Sequence, residues 1–236
     1  VEESISIIIP TLNEEGEIGE LLELLQRHRT AAVKEIIVVD GNSNDATVDE
    51  AIDGGAWVWM PAEEQHCRAS QMNAGARLAS GDILWFVHAD TRPPATYATD
   101  ILKAAAKHPF GSFAFQFNSN RLILRITSLF TRLRSMMVRG GDQSLFVTRA
   151  CWNDVGPFDP EFVVMEEYEW MQRAEKRGYR FHRMKGHMLV SARKHDDRNY
   201  FKVQRANLRA FRKFKNGVAP EVIKAEYMRA LEDAKR

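Results

Sequence analysis

The sequence predicts an α/β fold, with a mostly parallel central sheet flanked by helices and with further helices at the C-terminal end. Three observations carry this. Four apolar runs, Ile5 to Pro10, Glu35 to Asp40, Trp57 to Pro61 and Ile83 to Asp90, alternate with helix-like stretches at short spacing. That is the pattern of parallel strands joined by right-handed crossovers. The central run, ILWFVHAD, is near-continuously apolar, as a strand buried on both faces should be. Finally, the strand ends carry acids: Asn13-Glu14, Asp40 and His88-Ala89-Asp90. A parallel sheet gathers such ends at its carboxyl edge, where ligands bind in open α/β folds.

The elements follow in order. Ile5 to Pro10 is β-branched and leads through Thr11 to Glu15 into a helix marked by Ile18, Leu21, Leu22, Leu24 and Leu25. After the second strand, Gly41 to Asp45 is a turn cluster, and Asp45 or Thr47 caps a short helix that runs towards Gly54. Cys67 to Ala79 reads as a helix stopped by Ser80-Gly81. The central strand is expected to end at Asp90, because Thr91-Arg92-Pro93-Pro94 brings prolines that forbid ladder pairing. Phe113, Phe115 and Phe117 alternate with Ala114, Gln116 and Asn118, a half-buried strand. Arg121 to Arg139 has helical periodicity, with Leu122, Ile126, Leu129, Leu133 and Met136 on one side. Leu145 to Thr148 and Arg180 to Met184 are short strands. Met165 to Lys176, Phe201 to Phe214 and Glu221 to Ala234 are helices. No linker composition interrupts the chain, so it reads as one domain over 1–236.

A net charge of +1 excludes a polyanion binder by bulk charge, and no nucleic-acid partner is expected. The charge is unevenly spread. Ile101 to Gly141 contains no Asp or Glu while Lys103, Lys107, Arg121, Arg125, Arg132, Arg134 and Arg139 are basic, and Arg193 to Lys215 is basic as well. The basic side of 121–139 suits peripheral contact with an anionic membrane surface; the simpler reading is a core-facing helix with a solvated basic face. Cys67 and Cys151 have no metal-ligand spacing, and VEESISIIIP has no basic leader region. Both point to the cytoplasm. No apolar run approaches the roughly 20 residues of a membrane span.

Carboxylates gathered at one edge need a compensating cation or donors. A divalent ion on a diphosphate supplies the one, and ribose and base supply the others. The glycine fingerprint G-x-G-x-x-G is missing after the first strand, and no G-x-x-x-x-G-K-[ST] loop exists, which disfavours a dehydrogenase or a P-loop nucleotidase.

The run IIIPTLNEE, then IIVVDGNSNDAT, then RASQMNAGARLASGDILWFVHADT resembles a family 2 glycosyltransferase of the GT-A fold. GGDQSLFVTR, GPFDPEF and MEEYEWMQR extend the resemblance to roughly residues 4–215, and within the family the sequence is similar to the branch of arsenosugar-biosynthesis or radical-SAM/selenodomain-associated glycosyltransferases. The resemblance implies a nucleotide-binding half over 1–92, an acceptor-binding half over 93–195, and C-terminal helices over 196–236. It implies that Pro10, Thr11, Asn13 and Glu14 hold the nucleoside and that Asp40 accepts from the base, uracil or guanine. Arg68 and Asn73 approach base and phosphates. His88-Ala89-Asp90 stands at a D-x-D motif whose last acid, Asp90, binds Mn²⁺ or Mg²⁺; His88 replaces the first acid and is placed with the donor-binding residues. His195 is a second candidate ligand, against the plainer reading of a solvated histidine. Asp142, Gln143 and Trp170 fall to the transferred sugar or acceptor, although Gly140-Gly141-Asp142 is also a plain turn. Glu167, the second acid of Glu166-Glu167, falls at the catalytic base, a glutamate where the family has aspartate. The same acids also suit a helix N-terminus, with Glu169 and Arg173 as an i,i+4 pair.

The expected activity is metal-dependent transfer of a sugar from a nucleotide-diphosphate donor to an acceptor hydroxyl, with inversion. A non-catalytic nucleotide-sugar sensor or scaffold on the same fold is the alternative. A nucleotidylyltransferase would need a glycine-rich basic loop after the first strand, which PTLNEE lacks.

Overall fold

The computed structural model describes residues 3–61, 67–118, 144–191 and 199–235. Their strands form one eight-stranded sheet in the order β3-β2-β1-β4-β7-β6-β8-β5. The first half supplies β1 (Ile5–Thr11), β2 (Val33–Asp40), β3 (Trp57–Trp59) and β4 (Ile83–Phe86), all parallel. The second half supplies β5 (Thr91–Arg92), β6 (Phe110–Asn118), β7 (Leu145–Thr148) and β8 (Phe181–Ser191). Here β7 runs antiparallel to β4 and to β6, β6 runs parallel to β8, and β5 runs antiparallel to β8.

Period-two alternation sorts the strand side chains onto two faces. Ile5, Ile7 and Ile9 join Val38, Trp85 and Val87 in one cluster, under α1 (Glu17–Arg27), α2 (Thr47–Asp53) and α4 (Tyr97–Ala105). Ile8, Ile37, Val39, Leu84 and Phe86 join the other cluster, under α3 (Arg68–Leu78), α5 (Arg149–Val155) and α6 (Glu166–Lys176). Both faces are covered, which is why these runs show no polar alternation. At Gly75 the packing is closest: a Cβ there would sit 2.4 Å from Ile8 Cγ2, so only glycine lets α3 approach the sheet this closely. The helices α7 (Tyr200–Lys215) and α8 (Pro220–Glu232) close the chain.

Three expectations need correction. The central strand leaves the ladder at Phe86, not Asp90, because Thr91 turns back: its N–H and its hydroxyl both donate to the His88 carbonyl, at 3.2 and 2.7 Å. The prolines do not prevent pairing before them, since Thr91 and Arg92 pair with Val190 and Leu189. The strand expected over Arg180 to Met184 runs on to Ser191, because a bulge carries it through Lys185-Gly186: Ser112 pairs with Arg183 and Ala114 with His187. The helix α5 has no clear periodic signal; the Thr148 hydroxyl caps it by accepting from the Cys151 N–H. The basic segment 121–139, Asp142, Gln143 and His195 lie outside the described residues.

Candidate active site

The strand register brings Thr11 beside Asp40 at the carboxyl edge. The Thr11 hydroxyl donates to Asp40 Oδ1 at 3.0 Å, the Ser43 hydroxyl donates to the same oxygen at 2.5 Å, and the Ser43 N–H donates to Oδ2 at 2.7 Å. Asp40 is fully buried, and in this state its carboxylate shapes the turn after β2. Asn13 takes a left-handed backbone conformation (φ 54°) that asparagine tolerates. Its N–H donates to Ser43 Oγ at 2.9 Å, its Oδ1 accepts from the Asn44 N–H at 3.0 Å, and the Glu14 N–H donates to Thr47 Oγ1 at 2.7 Å. Pro10 is buried within β1, opposite Val39. Gln71 of α3, which sequence reasoning missed, completes this corner: its amide donates to the carbonyls of Thr11 at 2.7 Å and Val39 at 3.1 Å.

A second cluster forms where β4 ends against the start of α6. His88 and Asp90 are both buried. His88 Nε2 lies 3.5 Å from Glu167 Oε1, and Arg68, from the first turn of α3, donates to Glu166 Oε1 at 3.2 Å. Glu166 and Glu167 are buried in the first turn of α6, whose cap residue Met165 offers no side-chain bond. The unsatisfied N–H groups and the positive end of the helix dipole favour carboxylates there. For Glu166 burial outweighs this and pushes its carboxyl up from the ordinary range; Arg68 pulls it down and the Glu167 charge adds to the rise. Glu169 pairs with Arg173 at 2.6 Å, as its spacing implies.

Two expected ligand contacts are turned to the scaffold instead. Trp170 is fully buried, its indole N–H donates to the Gly156 carbonyl at 2.8 Å, and it stacks on Trp152 with ring centroids 6.0 Å apart. No face is left for a substrate, and the assignment to the acceptor is corrected on that ground. Its spacing from Glu167, Met171 and Ala174 is a core stripe, the signal that could have shown this. Asn73 donates to the Phe158 carbonyl at 2.8 Å and accepts from the Phe158 N–H at 2.9 Å, which ties α3 to the loop preceding α6. This reciprocal pair uses its amide and leaves Arg68 as the residue of α3 beside the acids.

Among the described residues no three His, Cys, Asp or Glu side chains gather to cage a metal ion. The edge offers the Asp90 carboxylate and, on the same turn, His88, whose buried Nε2 has no hydrogen bond of ordinary length. That donor set fits a hard divalent ion that brings phosphate oxygens and water as its remaining ligands.

The fold resembles several solved structures. The mannosyltransferase PcManGT from Pyrobaculum calidifontis, solved with GDP-Man and Mn²⁺, superposes with a TM-score of 0.69 at 18% identity, covering 97% of this chain and 69% of that one. Glucosyl-3-phosphoglycerate synthase from Mycobacterium tuberculosis, solved with Mn²⁺, UDP and glucosyl-3-phosphoglycerate, gives 0.61 at 17% identity, covering 98% and 80%. Residues 1–349 of TarS from S. aureus give 0.58 at 18% identity, covering 80% and 58%. At such identities the likeness is one of fold. A search of curated proteins finds no match. Residues 6–150, more than half of the chain, match the family described as glycosyl transferase family 2, and the chain therefore belongs to that family.

Proposed function

We propose that this glycosyltransferase moves a sugar from a nucleotide-diphosphate donor to an acceptor hydroxyl, with a divalent ion on the diphosphate and inversion at the anomeric carbon. The observation that carries this reading is the 3.5 Å approach of His88, on the turn that leads to Asp90, to Glu167 at the start of α6. This approach supports reading the turn after β4 as the metal end and the facing Glu167 carboxylate as the base.

In this reading residues 1–92 hold the donor and 93–195 the acceptor. The edge formed by Pro10, Thr11, Asn13 and Glu14 takes the nucleoside, Asp40 receives a ring N–H of uracil or guanine, and Arg68 meets the phosphates. Asp90 would hold Mn²⁺ or Mg²⁺, which when bound neutralises charge on the leaving diphosphate. Glu167 accepts the proton of the acceptor hydroxyl. The acceptor oxygen then bonds to the anomeric carbon from the face opposite the diphosphate, which departs with the electron pair of the broken bond. Neighbours in the fold crystallise with Mn²⁺ and GDP-Man or UDP, in support of this donor class. The resemblance carried by the motif set as a whole supports the arsenosugar or radical-SAM-associated branch. No helix among the described residues is long and apolar enough to cross a membrane; a cytoplasmic setting with peripheral membrane contact belongs to the same proposal.

Calorimetry with UDP, GDP and ADP, with and without Mn²⁺, tests it. UDP or GDP should bind more tightly than ADP, only with the ion, and Asp90→Asn should remove the ion dependence. ADP binding equal to both others, or an unchanged ion dependence in Asp90→Asn, would refute the corresponding assignment. Turnover of a sugar donor separates the enzyme from a binding module.

A further inference from the structure

The C-terminal helix α7 has two unlike faces. Its inner face buries Val203, Ala206, Ala210 and Phe214. Phe214 packs edge-on against Phe162, with ring centroids 5.9 Å apart, and Phe211 packs against Tyr168 at 5.4 Å. Tyr168 follows Glu167 in α6, so α7 lies directly behind the acid-rich helix start.

The outer face is a stripe of Phe201, Lys202, Arg205, Arg209, Arg212 and Lys215, all exposed. Spacings of three and four residues align them along one side of the helix over about 21 Å. The helix contains no Asp or Glu. Charge on this hairpin is met elsewhere: Lys213 pairs with Glu226, and the Lys202 ammonium donates to the Asp233 carbonyl at 2.8 Å. Among the described residues no ion pair is formed by Arg205, Arg209, Arg212 or Lys215. Phe201, at the start of the stripe, is 70% exposed.

We propose that this face of α7 docks on the anionic surface of a lipid bilayer, with the basic side chains on lipid phosphates and Phe201 in the boundary between headgroups and acyl chains. Unneutralised cations on one face repel each other and gain most where a plane of fixed negative charge meets them all. An exposed aromatic in the same stripe is the second contribution that durable interfacial binding needs. Nucleic acid fits less well. The molecule carries a net charge of only +1 and a pI near 8.0, below what nucleic-acid-binding domains show, whereas a membrane is read locally, within a Debye length of the patch. The proposal builds on the peripheral membrane contact proposed above and assigns it to α7; its test needs no sugar donor, so its failure leaves the transfer reaction untouched.

The test is sedimentation of the full chain with phosphatidylcholine vesicles, with and without phosphatidylglycerol. The protein should pellet only with the anionic vesicles and be released by salt. The triple substitution Arg205→Gln, Arg209→Gln, Arg212→Gln should weaken vesicle binding about a hundredfold, and Phe201→Ser about tenfold. The altered side chains face solvent, and circular dichroism of each variant checks its fold; Arg209→Gln alone, about fivefold weaker, serves if the triple variant does not fold. Failure to pellet with anionic vesicles, or pelleting undiminished in the arginine variants, overturns the proposal. Undiminished pelleting of Phe201→Ser overturns the lipid assignment. Tight binding of an RNA or DNA oligonucleotide, with vesicles ignored, reassigns the face to nucleic acid.

Discussion

His88 Nε2 and Glu167 Oε1 lie 3.5 Å apart, and their side chains are only 7% and 6% exposed. Each residue departs from the pattern that the sequence resembles, a histidine for an acid in the turn after β4 and a glutamate for an aspartate at the start of α6. The contact links the two departures. An acid at position 88 would face the Glu167 carboxylate at close range, and like charges so near cannot both ionise cheaply. An aspartate at 167 would fall one methylene short. The approach fits a positioning role for His88 toward Glu167, which a substitution can test.

His88→Ala is expected to lower kcat about tenfold to a hundredfold through loss of orientation, with the affinity for nucleotide and Mn²⁺ unchanged. In a double-mutant cycle with Glu167→Gln the two losses should not add. If His88→Ala instead weakens Mn²⁺-dependent nucleotide binding, His88 is a metal or phosphate contact and the positioning role is wrong.

Glu166 gives a pH-dependent stability. Burial raises its carboxyl pKa above the ordinary 4.5, against the opposing pull of Arg68. A raised folded-state pKa means that the folded form holds the proton more tightly. The associated stability is present below about pH 4.5 and is lost as pH rises through the folded-state value. Glu166→Gln removes the titration. Its melting temperature relative to the parent should therefore rise as pH goes from acid to neutral. A difference that stays constant over that range would contradict the raised pKa.

The first half of the fold was readable because its strands are covered on both sides. Ile7 and Ile8 face opposite clusters, so burial removed the polar alternation and left runs that few other structures could explain. What was not readable depends on partners far along the chain. β5 is two residues long and exists because Leu189 and Val190 arrive beside it. Gln71 reaches a carbonyl 60 positions away, and Asn73 a backbone group 85 positions away; neither residue carries a local pattern that announces this. The gathering of the strand-end acids at one edge was legible in the strand pattern, but the arrival of Glu166 and Glu167 beside His88 and Arg68 was not.

Asn73 carries a stability prediction from the same geometry. Its amide satisfies both the N–H and the carbonyl of Phe158, and the residue is only 6% exposed. Asn73→Ala strands two backbone groups at about 1–3 kcal/mol each. A loss of about 3 kcal/mol in denaturant unfolding is expected. A loss under about 1 kcal/mol would mean that water reaches Phe158 and that the tie is dispensable.

Glu167 is where the scaffold and the proposed chemistry meet. An acceptor hydroxyl is a poor nucleophile until its proton is taken, and a positioned carboxylate that takes it contributes roughly 10²–10⁴-fold to rate. Glu167 has the setting for this: it is buried, stands in the first turn of α6 and has its Oε1 3.5 Å from His88 Nε2. Its neighbours have other tasks, since Glu166 pairs with Arg68 and Glu169 with Arg173. Glu167→Gln keeps shape and hydrogen-bonding capacity but cannot accept the proton. It should reduce turnover at least about a hundredfold and leave nucleotide affinity unchanged, because the edge of β1, β2 and β4 proposed to hold the donor is untouched. Glu169→Gln should lose only the modest worth of an i,i+4 pair, and Glu166→Gln should act mainly on stability. If turnover falls with Glu166→Gln and survives Glu167→Gln, the base is the other member of the pair. If it survives all three substitutions, the base lies outside this helix.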